Sequence, residues 1–352
     1  MSRFLCPSYK ELEAYVPGEQ PLSFDGIIKL NTNESPFEPS PAVKAAVCSG
    51  EAAKLNLYPP LQAQQLCDAI AARYGAPGSR VILTNGSDEA LSFAFMAFCG
   101  RENPVAFADI TYGFYKVYAE LYGCDTKIIP LSEDLSVNAR DYTAICRNIF
   151  IANPNAPTGI LLSVSEIESI IRSNADNLVV IDEAYIDFDG ESCAPLTQKY
   201  DNLIVIGTFS KSRSLAGARL GYMICCDALA QDLNKIKFSL NPYNINRLTL
   251  AAGLAAVRDT EYYNNACRTI IENRQYITNE LKAAGYSLTP SAANFVFAAP
   301  PGGDAYDIYV YLKANGVLVR YFNQPRINNR LRITVGTHEQ LQRLIELIKG
   351  RQ

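Results

Sequence analysis

Hydrophobic and polar positions alternate in two rhythms along the middle of the chain. Short apolar runs end at polar or glycine-bearing turns. Between them lie stretches in which apolar residues return every three or four positions. Val81–Thr84 predicts a strand that stops at Asn85-Gly86, and Asp88–Cys99 carries helical spacing. Pro104–Ala108 reads as a strand and Tyr112–Tyr122 as a helix. Asn148–Ala152 reads as a strand, followed by a helix over Ser163–Ser173 opened by a Ser-x-x-Glu cap, Ser163 with Glu166. Leu178–Asp182 and Leu203–Thr208 are apolar almost throughout, as strands covered on both faces are. This alternation predicts an α/β fold: a three-layer large domain built on a mostly parallel sheet.

The rhythm changes after about Pro242. Asn246–Arg258 and Asp259–Gly285 predict long helices, the second a connector between domains. Strands at Asn294–Ala298, Val317–Arg320 and Leu331–Val335 follow, then a helix over Glu339–Gly350. The pattern divides the chain into a large domain over residues 30–250 and a smaller α+β domain of residues 1–29 plus 251–352. The proline-bearing segments Val16–Pro21 and Ser35–Pro41 read as extended chain wrapped over the surface.

Composition narrows the function more than the fold. The 352 residues are 48% hydrophobic and 19% charged, enough for a sizeable core. A net charge of −4 with scattered Lys and Arg argues against a nucleic-acid partner. No run approaches the roughly 18 apolar residues that span a bilayer, and the N-terminus lacks the apolar stretch of a signal peptide, so a cytoplasmic protein is expected. The ten cysteines show no C-x-x-C pair and read as reduced thiols, and a single histidine, His338, leaves no His-rich metal site. No G-x-S-x-G elbow supports a serine hydrolase.

Polar clusters fall at the carboxyl ends of the expected strands, where α/β sheets gather ligands. They are Asn85-Gly86-Ser87-Asp88, Asn153 to Gly159, Asp182-Glu183-Ala184-Tyr185 and Ser210-Lys211-Ser212. Lys211 follows a hydrophobic strand, where desolvation favours the neutral, nucleophilic amine. Asp182 ends the apolar run LVVID and suits a cationic partner such as a protonated pyridine nitrogen. Ser87 and Asp88 open a helix whose free amides favour a phosphate, and Arg219 could add a bidentate charge. Taken singly, each has a plainer explanation: a solvated loop lysine, a capping aspartate, two tight turns. Their order along one chain lifts them above it.

That order resembles the fold-type I enzymes that use pyridoxal 5′-phosphate (PLP), and more closely the histidinol-phosphate aminotransferases. Leu30-Asn31-Thr32-Asn33-Glu34, Tyr58-Pro59, Thr84 to Glu89, Thr111-Tyr112-Gly113, Asp182 to Tyr185, Ser210-Lys211-Ser212 and Leu331 to Thr337 carry the resemblance, from about Tyr15 to Thr337. It implies that Lys211 bonds PLP and then shuttles a proton between the substrate α-carbon and the cofactor's C4′. Asp182 would pair with the ring nitrogen, Tyr185 with O3′, and Tyr112 would stack on the ring. Ser87, Asp88 through its backbone, Ser210 and Arg219 would hold the phosphate, joined by Tyr58 from a second subunit of a homodimer. Arg332 would bind the glutamate carboxylate and Arg320 the substrate phosphate, with Tyr15 and Asn33 close by.

The family's Asn-Asn-Pro-Thr-Gly turn departs here: Ala156 stands where an asparagine usually touches O3′. Either Asn155 shifts to make the contact, or Tyr185 bears it alone. The implied reaction is transamination between glutamate and imidazole-acetol phosphate, in histidine biosynthesis. Two relatives of the fold keep the cofactor residues and change the chemistry: a threonine-phosphate decarboxylase and the aromatic-amino-acid aminotransferases. A non-enzymatic regulator would need an added partner-binding domain, for which the motifs leave no room.

Overall fold

Successive side chains of a strand leave on opposite sides, and this chain fills both sides with apolar groups. In the computed structural model, which describes residues 3–21 and 26–351, Ile149, Ile151, Val179 and Ile181 enter one buried cluster. Their neighbours Phe150 and Val180 enter another across the sheet. The strands are β1 (Val81–Thr84), β2 (Val105–Ala108), β3 (Thr126–Ile129), β4 (Asn148–Ala152), β5 (Val179–Asp182), β6 (Leu203–Thr208) and β7 (Gly221–Cys225). They form one seven-stranded sheet in the order β1-β7-β6-β5-β4-β2-β3. Only β7 runs against its neighbours. The expected mostly parallel α/β sheet is therefore present, and β3 and β7 are strands that the apolar pattern does not announce.

The helix expected at Ser163 forms over Val164–Ser173. Ser163 Oγ accepts from the Glu166 N–H at 3.3 Å, while Glu166 Oε2 accepts from the Ser163 N–H at 2.8 Å. Its buried face is Ile167, Ile170 and Ile171, the helical repeat seen in the sequence. The stretch expected as a helix from Tyr112 begins at Phe114, which leaves Tyr112 in the turn before it. Helices at Pro41–Cys48, Gln64–Ala72, Asp227–Leu240 and Ala305–Ala314 add to those expected.

Beyond the sheet, Arg247–Arg258 still packs into its core through Ala252, Ala256 and Val257. The long helix Thr260–Ala283 carries Ile270 and Ile277 into a separate cluster with Leu30, Val296, Ile333 and Leu344. There an antiparallel sheet runs in the order 320–321, 331–334, 295–299, 287–288. The single strand expected over Val317–Arg320 is divided. Val317 and Leu318 pair in parallel with Ile28 and Lys29, whereas Arg320 and Tyr321 pair with Arg332 and Leu331. Residues 1–2, 22–25 and 352 of the expected smaller domain lie outside the described residues. Among the described residues no helix is long and apolar enough to cross a membrane.

Candidate active site

Register brings Asp182 beside Ala152 on one neighbouring strand and Ile206 on the other, at the carboxyl edge of the sheet. A cavity of about 360 Å³ opens there, within the range of about 300–1,000 Å³ usual for small ligands. Ser87, Asp88, Tyr112, Asp182, Tyr185, Ser210, Lys211 and Arg219 all line it; the loop from Asn153 to Gly159 reaches it only through Ala156. Gln20, Thr32, Glu34 and Thr208 complete its polar wall.

Asp182 is 4% exposed. Its Oδ1 accepts from the Ala184 N–H at 3.1 Å and its Oδ2 from the Tyr115 hydroxyl at 3.3 Å. Burial raises its pKa to about 7, with the Asp88 charge adding to the rise and the two donors and Lys211 opposing it. Such a carboxylate is poised for a cation that the protein itself does not place against it. Lys211 is half-buried, donates from Nζ to the Thr32 carbonyl at 3.2 Å, and has no ion-pair partner among the described residues. The Tyr185 ring lies 5.8 Å from that ammonium.

At the opposite wall the helix Gly86–Phe98 begins without a side-chain cap, leaving first-turn N–H groups for a ligand. Gly86 has φ +78°, and a Cβ on it would stand 2.5 Å from Arg219 Nη2. Gly221 is equally constrained, since a Cβ there would lie 2.6 Å from the Ser87 nitrogen. Glycine at both positions lets Arg219 and β7 close on the start of the helix. Arg219 pairs with Asp88 Oδ2 at 3.0 Å, and Tyr112 donates its hydroxyl to Asp88 Oδ1 at 2.7 Å. The Asp88 side chain thus ties Arg219 and Tyr112 together at the start of the helix. Thr208 donates to Ser210 Oγ at 3.0 Å and fixes that hydroxyl at the rim.

A second group lies around the cavity rather than in its wall. Asn33, buried and left-handed at φ 56°, donates from Nδ2 to the Tyr185 hydroxyl at 3.0 Å. Thr334 and Asn294 lock it, the Thr334 hydroxyl donating to Asn33 Oδ1 and the Asn294 amide to the Asn33 carbonyl, each at 3.0 Å. Arg332 donates from Nη2 to the Asn31 carbonyl at 3.1 Å, and its Nε is buried without a partner. Burial lowers its pKa, as expected of a cation waiting for an anion. Arg320 donates to the carbonyls of Val16 and Pro17, both at 3.2 Å, so it pins the segment that carries Tyr15. The Tyr15 ring stacks on Phe114 at 4.2 Å and tilts against Tyr112 at 6.3 Å.

Two expected residues stand apart. Asn155 does not line the cavity. Its amide donates to the Ile110 carbonyl at 3.0 Å and to the Thr158 hydroxyl at 3.1 Å, and accepts from Thr111 at 2.7 Å. Ala156 lines the wall instead. Tyr58 is 76% exposed and stacks on Tyr243 at 4.4 Å, outside this chain's own cavity. The residue that sequence reasoning misses is Tyr115, which reaches Asp182. Its one signal is the spacing Tyr112-x-x-Tyr115, two phenols three residues apart at the entry to a helix, whose rings meet edge-on at 5.9 Å.

The donor set fits PLP: an open helix start and an arginine for a phosphate, a dry carboxylate for a pyridine nitrogen, a phenol beside it, and an unpaired lysine. The chain belongs to the class I and II aminotransferases, whose family pattern matches residues 25–348. Within that class it is similar to histidinol-phosphate aminotransferases. The protein of that name from Brachyspira hyodysenteriae is 46% identical over 350 residues, covering 99% of each chain. The fold matches a putative histidinol-phosphate aminotransferase from Erwinia carotovora with a TM-score of 0.86 at 26% identity, over 96% of this chain and 98% of the other. It also matches the Sinorhizobium meliloti enzyme, in complex with pyridoxal-5′-phosphate, with a TM-score of 0.89 at 23% identity, over 100% and 99%.

Proposed function

We propose that this chain is a PLP-dependent aminotransferase that moves an amino group between L-glutamate and imidazole-acetol phosphate, forming L-histidinol phosphate for histidine biosynthesis. The observation that carries the reaction is that an unpaired Lys211 and a buried, cation-seeking Asp182 line one cavity. Similarity over the full length to histidinol-phosphate aminotransferases carries the substrate.

When bound, PLP supplies an electron sink for the substrate's α-carbon. Asp182 holds a proton on the pyridine nitrogen. Tyr112 stacks against the ring, and Tyr185, fixed by Asn33, donates toward O3′. With Asn155 committed to its own turn, Tyr185 bears that contact without an asparagine at 156. Ser87, the backbone of Asp88, Ser210 and Arg219 grip the phosphate. Lys211 Nζ is the group that would hold the aldehyde and, freed when the substrate's amino group takes its place there, would carry the proton between the α-carbon and C4′. Arg332 takes the glutamate carboxylate with its free Nε edge. Arg320 takes the phosphate of the amino-alcohol substrate, with Tyr15 beside it.

The same reading makes the enzyme a cytoplasmic homodimer. Tyr58, with the exposed Leu55, Leu57 and Leu61, covers the second copy and reaches its phosphate site. Residues 30–250 then act as the cofactor-holding unit, with 1–29 and 251–352 as the smaller one.

The deciding measurement is a half-reaction. Purified enzyme loaded with PLP is mixed with L-histidinol phosphate alone, and the visible cofactor band is followed. Bleaching, reversed by 2-oxoglutarate, is expected. Bleaching by glutamate but not by histidinol phosphate removes the substrate assignment.

A further inference from the structure

We infer that Tyr115 is a positioning residue for Asp182, holding its carboxylate turned into the cavity in the ionised form that the cofactor needs. The inference rests on the PLP reading above and adds a residue that the sequence pattern does not mark.

Tyr115 is fully buried in the first turn of the helix Phe114–Leu121. Three rings fix it: Tyr112 edge-on at 5.9 Å and 89°, Phe107 at 5.9 Å and 62°, and Phe150 at 6.0 Å. A ring so enclosed does not swing, and its hydroxyl has Asp182 Oδ2 as its acceptor at 3.3 Å. The Ala184 N–H holds Oδ1. Each oxygen therefore has one protein donor. An ionised carboxylate offers about four acceptor positions, so two remain for the cavity.

The groups facing Asp182 divide by sign. Asp88, from the helix start, opposes its ionisation, and burial opposes it more strongly. Lys211 and the two donors favour it. The phenols of Tyr112 and Tyr115 also face it, and burial holds both well above the ordinary tyrosine pKa. Tyr115 therefore always donates and never competes as an anion. Ala184 contributes its donor from the backbone, so among side chains Tyr115 is the hydrogen-bond donor that tilts Asp182 toward its charged form. Packing alone would have been served by phenylalanine, since the three ring contacts need no hydroxyl.

The test titrates apoprotein with PLP from pH 6 to 9, reading the dissociation constant for the parent, Tyr115→Phe, Asp182→Asn and the double variant. Tyr115→Phe is expected to weaken binding about 10–100-fold near pH 7, the range for a hydrogen bond to a charged group. That loss shrinks toward pH 9, where Asp182 ionises without help, and disappears in the Asp182→Asn background. Replacing the Tyr115 ring with 3-fluorotyrosine, a stronger donor of nearly the same size, moves the pH midpoint down, and this arm decides should the phenylalanine variant not fold. An equal loss with and without Asp182 assigns Tyr115 to packing and overturns the proposal, as does an unmoved midpoint. Affinity untouched by Asp182→Asn itself overturns the assignment of Asp182 to the ring nitrogen, and Tyr115's role with it.

Discussion

Arg320 stands directly opposite Arg332 across two antiparallel strands. Like charges at such facing positions repel and cost a few tenths of a kcal/mol or more, about 0.2–1 on the usual scale. No carboxylate of the described residues pairs with either arginine. On the reading proposed above, two cations side by side serve two anionic substrates that take turns in one site.

The two arginines are expected to separate by substrate. Arg332→Lys replaces a planar fork with a point charge, and the KM for glutamate is expected to rise about 10–100-fold with a smaller change in kcat. Arg320→Ala is expected to raise the KM for histidinol phosphate more than that for glutamate. Steady-state kinetics on both substrates checks this, and equal effects of both variants on both substrates would contradict it.

Tyr185→Phe keeps the ring edge-on to Phe295 at 5.2 Å and removes only the hydroxyl that Asn33 holds. Cofactor retention is expected to weaken about tenfold while the melting temperature stays close to that of the parent. Asn33→Ala should cost stability as well, because alanine fits a left-handed φ of 56° poorly and two further hydrogen bonds to its side chain and turn are disturbed. Equilibrium dialysis of PLP and a thermal melt separate the two effects.

Asp182 and Glu183 both have folded pKa values raised by burial, each to about 7. A raised folded pKa means the native state holds the proton more tightly. Stability is then full below the ordinary carboxylate range and is lost as pH rises toward 7. Apoprotein should therefore unfold at lower urea at pH 8 than at pH 5. Asp182→Asn removes one share of that loss, on the order of 1.4 kcal/mol for each tenfold tightening of the proton in the native state. The variant should exceed the parent in stability at pH 8 and match it near pH 4. An identical pH dependence in parent and variant would refute this.

Gly86→Ala should act on the phosphate grip more than on the fold. The added Cβ displaces the Arg219 guanidinium, 2.5 Å away, and a left-handed backbone costs alanine about 1 kcal/mol. Affinity for PLP is expected to fall more than affinity for pyridoxal, which lacks the phosphate. Comparing the two ligands on parent and variant gives the answer.

Much of this site is legible because strand ends and polar turns coincide in the sequence. LVVID places Asp182 at the edge of a buried strand, and β5 ends at that residue. The strand over Thr126–Ile129 is not legible, because it lies at the sheet edge with Lys127 and Ile128 exposed and so lacks an apolar signature. Val317–Arg320 reads as one strand because period-2 patterning does not reveal a change of partner at Val319. Asn155 shows a different limit. A turn sequence gives the residue but not which way its amide faces, and here three local hydrogen bonds settle that.

Asp182 and its neighbour Glu183 are adjacent carboxylates with opposite duties. One faces the cavity. The other turns away, accepting from the Cys193 N–H at 2.7 Å and from the Ser192 hydroxyl, and so tethers the following loop. Because side chains alternate along extended backbone, a slip of a single residue would exchange them, sending the anchor into the pocket and the pocket's acid into the anchor's slot. Insertions or deletions in this stretch should thus be far less tolerated than substitutions, since shifting the frame disables cofactor capture and loop attachment in one stroke.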